Sequence, residues 1–217
     1  MCYLGLGHVL HSEDRNALTL YRCLYENEIG KTWVRPREMF EDMLAGGEKR
    51  FKPIARMRLV EREDEARVLM FGHDAWGRGR PSAEFVSAYQ TNNSNHLRGT
   101  RYLLEDLEGV PLSNLNTLRF ARGVFGIASV ATTPEHRGKG HATLLLRAVM
   151  EWYRFQSEGE TGELRFLLFS EVPPGMYERC GFQILPKEHQ HCEPSVAMAT
   201  GTLPLSAGEA EMLKTYF

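Results

Sequence analysis

The sequence is thin in the features that would place it in several large classes. It has only four cysteines in 217 residues, at positions 2, 23, 180 and 192. They are far apart and form no Cys-x-x-Cys pair, whereas small secreted disulfide scaffolds are short and dense in cysteine. Cys180, His189, His191 and Cys192 run in an order that does not match the paired short spacings of structural zinc sites, so no metal is expected. No apolar run approaches the roughly 20 residues of a membrane-spanning helix. The opening residues lack a basic stretch before their short apolar segment, so they do not read as a signal peptide. The expected location is therefore the reducing cytoplasm. Neither sign of charge dominates: 26 Lys and Arg stand against 28 Asp and Glu, a net −2. That balance argues against nucleic acid or a membrane surface as partner. There is no internal repeat, no low-complexity tract and no Walker phosphate-binding pattern.

What is present is the composition of an ordinary globular chain, with 42% hydrophobic and 25% charged residues. The length suits one large domain, or one domain with an extension. Residues 1–50 read as an N-terminal helical extension. Ser12 is placed to cap a helix carrying Ala17, Leu18, Tyr21, Leu24, Tyr25 and Ile29 at helical spacing. A second helix starts near Pro36, carries Met39, Phe40, Met43 and Leu44, and stops at Gly46-Gly47. About fifty residues cannot bury a core alone, so this extension is expected to pack on the domain that follows, residues 51–217.

That domain reads as α/β. A strand over Ile54–Glu63 leads to a helix from Asp64 to about Ala75, then a loop, GHDAWGRGRPS, and a helix from Ser82 into the nineties. Three strands in quick succession follow: Arg101–Leu107, Asn114–Phe120 and Val124–Ala131. Their links are too short for crossover helices, so they form an antiparallel meander. Next come a glycine-rich turn, a long helix with an apolar stripe from Ala142 to Tyr153, and a buried strand, Leu164–Ser170. Strand, helix, strand implies a parallel crossover. A short helix in EVPPGMYERCGF, final strands at Phe182–Leu185 and Ser195–Ala199, and a tail helix over Ser206–Phe217 complete the reading.

The chemistry concentrates at Arg137-Gly138-Lys139-Gly140-His141-Ala142, which opens the long helix. A helix start presents unpaired N–H groups and the positive end of the helix dipole. Glycines allow a sharp turn and a close approach to a ligand, and two basic residues add charge. The alternative is a glycine turn into an ordinary helix. With its context this stretch resembles the GCN5-related N-acetyltransferase (GNAT) superfamily, whose signature is [RQ]-x-x-G-x-[GA]: Arg137, Gly140 and Ala142 fill the fixed places. Tyr177-Glu178-Arg179-Cys180-Gly181-Phe182 fits a second element of that family, a tyrosine on the short helix after the next strand. The resemblance covers roughly Ile54–Ala199 and is most specific from Ile127 to Phe182. The first fifty residues resemble nothing in the family.

The resemblance implies a mixed, mostly antiparallel sheet flanked by helices, parted to admit acetyl-CoA as cosubstrate. It implies that the amides of Gly138, Lys139, Gly140, His141, Ala142 and Thr143 hold the pyrophosphate, helped by Arg137 and the Lys139 side chain. Backbone groups of Val130, Ala131 and Thr132 would meet the pantetheine arm, and Tyr177 would protonate the departing thiolate. The implied reaction is direct attack of a primary amine on the thioester in a ternary complex. One departure stands out: the acid that many members carry on the strand before the signature is missing from Val124–Thr132. Glu171 is the best substitute as base, with Glu105 and Asp106 as rivals. Trp76 either lines the acceptor site or anchors its loop, while His73 and His96 read as incidental. Two other functions stay open, a non-catalytic acyl-CoA-binding module and an acyltransferase for longer acyl thioesters. A homodimer is compatible with the sequence, and the amine acceptor is not legible in it.

Overall fold

The computed structural model describes residues 1–91, 99–159 and 162–214. The predicted helix into the nineties therefore runs past the described residues, as do His96 and the last three positions of the predicted tail helix.

The N-terminal region corrects the sequence reading. It is a three-stranded antiparallel sheet of β1 (Tyr3–Leu10), β2 (Ala17–Cys23) and β3 (Thr32–Pro36), in that order. Only a single short helix, α1 (Arg37–Glu41), follows it. The apolar positions from Ala17 to Tyr25 satisfy a helical period and a period of two equally well. The flanking residues break the tie. Ser12–Asn16 is a hairpin turn, not a helix cap: the Asn16 amide donates to Asp14 Oδ1 at 3.0 Å, Arg15 takes a positive φ of 59°, and the His11 amide donates to the Asn16 carbonyl at 2.9 Å. Alternation then sends Thr19, Tyr21 and Cys23 inward. Tyr3, Tyr21, Phe40 and Phe51 form an aromatic cluster under this sheet, with Phe40 stacked on Phe51 at 4.2 Å.

A seven-stranded sheet forms the second part, in the order β4-β5-β6-β7-β8-β10-β9. Its strands are β4 (Arg56–Leu59), β5 (Thr100–Glu105), β6 (Pro111–Ala121), β7 (Val124–Thr132), β8 (Arg165–Ser170), β9 (Gln183–Ile184) and β10 (Val196–Ala199). Every neighbouring pair is antiparallel except β7–β8, which is parallel. The β4–β5 connection carries α2 (Glu65–Leu69), α3 (His73–Trp76) and α4 (Ser82–Thr91), so part of the predicted loop is helical. The β7–β8 crossover is α5 (His141–Gln156); α6 (Gly175–Glu178) follows β8, and α7 (Ala207–Lys214) comes last.

The helices take opposite faces of the sheet. Leu145, Leu146, Val149 and Met150 of α5 pack on Tyr102, Leu104, Leu115, Phe125, Ile127 and Phe166. Val68 and Phe71 cover Leu103 and Ala131 on the other face. The N-terminal sheet is joined to α5 by a buried arginine. Arg22 donates to Glu151 at 2.7 Å and also pairs with Glu158, while Arg154 reaches Glu151 at 2.5 Å. A buried guanidinium and carboxylate are tolerated because each meets the other.

Candidate active site

The sheet parts at its one parallel pair. β7 and β8 are in register only over Val124–Gly126 against Arg165–Leu167. Exposure follows the parting: β7 is buried up to Ile127, then half-buried from Ala128 to Val130 and again at Thr132. At that point β7 carries a bulge opposite Asn114–Asn116, and Ser129 sits at a positive φ of 51°. A non-glycine residue held there costs of order 1 kcal/mol or more, a strain that gathers at functional sites. Beyond the bulge the Ala131 carbonyl accepts from the Ser113 hydroxyl at 2.9 Å, so this edge faces β6. Alternation turns the backbone groups of Val130 and Thr132 to the opposite edge, toward the opening. The Thr132 carbonyl accepts from Arg137 Nε at 3.1 Å.

Because β7 and β8 run parallel, their C-terminal ends lie at the same end of the sheet. The end of β7 leads to the turn Arg137–Gly140. Gly138 and Gly140 have φ of 74° and 83°, and a Cβ on either would meet nothing within 4 Å. Gly140 is the N-cap of α5 and makes no side-chain cap. The first amides of α5 therefore lie beside open space at the turn, with Lys139 exposed next to them. His141 stands 5.9 Å from His136, ring to ring, and burial with the neighbouring His136 and Lys139 charges keeps its imidazole pKa low.

The structure pairs Arg137 with α3 and the segment before it. Its guanidinium holds Asp74 at 2.5 and 2.8 Å and the Phe71 carbonyl at 3.0 Å. It clamps α3 to the end of β7, and in return it holds Asp74 down at a pKa of about 2.

The end of β8 leads to Glu171 and then to α6. Pro174 starts that helix and Gly181, at φ of 87°, closes it, with the Phe182 amide donating back to the Tyr177 carbonyl at 3.2 Å. Tyr177 is thereby fixed with its ring edge-on to Phe182 at 5.9 Å. Burial pushes its phenol above the usual value, and Cys180 and the Glu171 charge add to that. The phenol stays protonated, the form a proton donor needs. Glu171 is exposed and accepts from the Trp76 indole N–H at 2.7 Å. The two rival acids are occupied elsewhere. Glu105 is buried between Arg58 and Arg56, at 2.9 and 3.4 Å. Asp106 accepts from the amides of Glu108 and Val110 in the β5–β6 turn.

One group of polar residues escaped the sequence reading. Asn114 and Asn116 of β6 are buried on the face covered by α2–α4. With Arg101 of β5 and Ser129 of β7 they make the middle of that face polar, where a structural sheet would be apolar. Arg101, Asn114 and Ser129 line a small pocket whose wall includes Trp76, Phe85 and Tyr89. The available signal was the pair of asparagines at alternate positions of one strand, Asn114 and Asn116.

A mixed sheet parted at its single parallel pair, with an N–H-lined turn and a buried tyrosine at the parted end, is the architecture expected of an N-acetyltransferase. Comparison with known proteins agrees. Residues 104–184 match the family described as acetyltransferase (GNAT) domain, and residues 1–53 match a family described as protein of unknown function (DUF1653). No curated protein matches the chain. Solved structures with the same fold include a putative N-acetyltransferase from Lactobacillus plantarum, at 18% identity and a TM-score of 0.51, covering 70% of this chain and 100% of that one. A chimeric spermidine N-acetyltransferase from Vibrio cholerae and hSSAT is 18% identical with a TM-score of 0.51, over 68% of this chain and 95% of that one. An N-acetylglutamate synthase from Neisseria gonorrhoeae, complexed with coenzyme A and N-acetyl-glutamate, is 16% identical with a TM-score of 0.50; it covers 69% of this chain and 35% of its own. At these identities the likeness is one of fold. The match to the acetyltransferase (GNAT) domain model lies over residues 104–184, from the end of β5 to β9. No described helix is long and apolar enough to cross a membrane.

Proposed function

We propose that this protein is an acetyl-CoA-dependent N-acetyltransferase that acetylates a primary amine by direct attack in a ternary complex. The observation that carries the reading is the parallel β7–β8 pair that parts after Gly126. It brings the N–H turn and Tyr177 to the same end of the sheet. A thioester is an activated acyl donor, so the residues have only to hold it, orient the amine and move protons.

The amides from Gly138 to Thr143 suit a pyrophosphate, because the space beside both glycines is open. Lys139 supplies charge there, while Arg137 acts by fixing the turn to α3. Val130 and Thr132 offer backbone groups to the pantetheine arm, and an N–H on this edge would stabilise the oxyanion. An alkyl ammonium must lose a proton before it attacks, and Glu171 is the acceptor we assign to it, directly or through water. When the carbon–sulfur bond breaks, Tyr177 donates its phenolic proton to the thiolate and is reprotonated from solvent. The products are the N-acetyl amine and free coenzyme A. Residues 1–50 we read as a separate module docked on α5 through Arg22.

Thiol release from acetyl-CoA with a panel of amines tests this. Turnover that falls at least tenfold in Tyr177→Phe, with coenzyme A binding unchanged, supports it. Equal turnover in the variant removes Tyr177 from the mechanism.

A further inference from the structure

The cofactor turn and Tyr177, the proton donor proposed above, sit on different helices. α5 opens at the turn, is 16 residues long and buries Leu145, Leu146, Val149 and Met150 against the sheet, which fixes its position. α6 has four residues and no side-chain cap. A single helical turn is not stable by itself. The bonds that close it are local. The Tyr177 and Glu178 amides donate to the Pro174 carbonyl at 2.8 and 3.0 Å, and the Cys180 and Phe182 amides donate to the Tyr177 carbonyl at 2.8 and 3.2 Å. They set the shape of residues 174–182. They leave the placement of that segment on α5 to the apolar packing of Tyr177, Cys180 and Phe182.

One polar contact crosses between the two. Arg147 of α5 donates from Nη2 to the carbonyl of Arg179, the C-cap of α6, at 2.6 Å. Among the described residues it is the one hydrogen bond between α5 and residues 174–182. The same guanidinium acts on the adjoining Cys180 thiol: burial pushes that pKa up and the Arg147 charge draws it partly back. We propose that Arg147 is a positioning residue for Tyr177, setting the place of the phenol relative to the cofactor turn at the head of α5. This rests on the acetyltransferase reading, in which Tyr177 donates the proton, and adds to it a residue that acts through Tyr177.

The physics of the two kinds of contact favours this role. Apolar burial is non-directional, so it resists separation of α6 from α5 but not sliding along it. A hydrogen bond from a guanidinium to a carbonyl is short, strong and directional. A proton donor must lie within about 2.6–3.2 Å of the atom it serves, and a misplacement of about 1 Å can cost about a hundredfold in rate. Arg147 stands about one helical turn beyond Thr143, the last of the amides assigned to the pyrophosphate. The chain of fixed contacts from cofactor to phenol is therefore short: the head of α5, one turn of that helix, Arg147, the Arg179 carbonyl and the single turn that carries Tyr177.

The test is a double-mutant cycle in the full chain, read as thiol release from acetyl-CoA with the amine that the wild type turns over fastest. Its members are wild type, Arg147→Ala, Tyr177→Phe and the double variant. Arg147→Ala should lower kcat about tenfold while KM for the amine and the calorimetric dissociation constant of coenzyme A stay within about twofold of wild type. In the Tyr177→Phe background the same change should cost nothing further, because the group that Arg147 places is already gone. Arg147→Lys keeps a cationic donor and should regain part of the rate. Arg147→Gln replaces alanine in the cycle if Arg147→Ala does not fold. A merely structural role would multiply the two losses in the double variant. Multiplied losses, an unchanged kcat in the single variant, or a loss confined to coenzyme A binding overturns the proposal. The two readings fail in different ways. A slow Tyr177→Phe with multiplied losses keeps the proton donor and rejects Arg147. A Tyr177→Phe as fast as wild type, or no acetylation of any amine, rejects the donor and Arg147 with it.

Discussion

The Trp76 indole N–H donates to Glu171 Oε2 at 2.7 Å across 95 positions of the sequence. This one bond ties the helices between β4 and β5 to the end of β8. It holds the Glu171 carboxylate with a residue of α3. Glu171 is exposed, so without this donor its side chain would sample several rotamers.

Trp76→Phe keeps the ring and removes the donor. A hydrogen bond to a charged group contributes about 1.5–3 kcal/mol, and exposure places this one at the lower end. Steady-state kinetics with a saturating amine should show kcat/KM down about tenfold, with the dissociation constant for coenzyme A unchanged. An unaltered kcat/KM would show that Glu171 needs no positioning by Trp76.

Gly140→Ala tests the turn. Space for the methyl is available, yet the φ of 83° is left-handed. Alanine costs about 1–2 kcal/mol in that conformation. The variant should be destabilised by about that amount in chemical denaturation and bind coenzyme A about tenfold more weakly by calorimetry. Wild-type affinity in a variant that keeps its fold would remove the turn from the binding site.

The contrast between these two features explains what could be read from the sequence. The turn was legible because glycine spacing and a helix start are local, and the parallel crossover was legible because a long amphipathic helix separates β7 from β8. Trp76 and Glu171 were each noticed, but a contact over 95 positions leaves no local pattern. The same holds for Arg137. Its place in the signature suggested phosphate, while tertiary structure brought Asp74 to it. The N-terminal region misled for a different reason. Ala17–Cys23 fits both periods, and only the turn chemistry of Asp14–Asn16 separates a hairpin from a capped helix. Asn114 and Asn116 were visible as polar interruptions but had no meaning until a helix layer covered them.

Acid stability should depend on Asp64. This buried carboxylate bonds the Arg58 fork at 2.5 and 3.1 Å and the Glu61 amide at 3.1 Å. Arg58 first, then the Glu61 amide and the nearby arginine charges, overcome burial and hold its pKa down to about 2. In the unfolded chain the value is about 3.9. The folded state thus binds fewer protons, and this stabilisation is complete above about pH 5 and lost as pH falls toward 2. Asp64→Asn should cost about 1–3 kcal/mol at pH 7 in urea denaturation, with the gap to wild type closing between pH 5 and pH 2. A gap that does not change with pH would contradict the assignment.

Arg22 should hold the N-terminal sheet to the rest of the chain. Arg22→Ala leaves Glu151 buried with only Arg154 for company. Removing one partner of a buried pair costs about 3–5 kcal/mol, and retention of Arg154 puts the expectation near the lower figure. Limited proteolysis should then release the segment before residue 54 faster than in wild type. Equal stability and equal cleavage would mean that the contact carries little.

The central claim is that the parted sheet transfers an acetyl group from acetyl-CoA to an amine. Its most direct measurement is mass spectrometry of the products formed from acetyl-CoA and the amine panel, with Tyr177→Phe run alongside. The account predicts an acetylated amine and free coenzyme A in equal amounts with the wild type, and at least tenfold less of both with the variant. Protein that binds acetyl-CoA but yields no acetylated amine from any acceptor, or a variant as fast as the wild type, would contradict it.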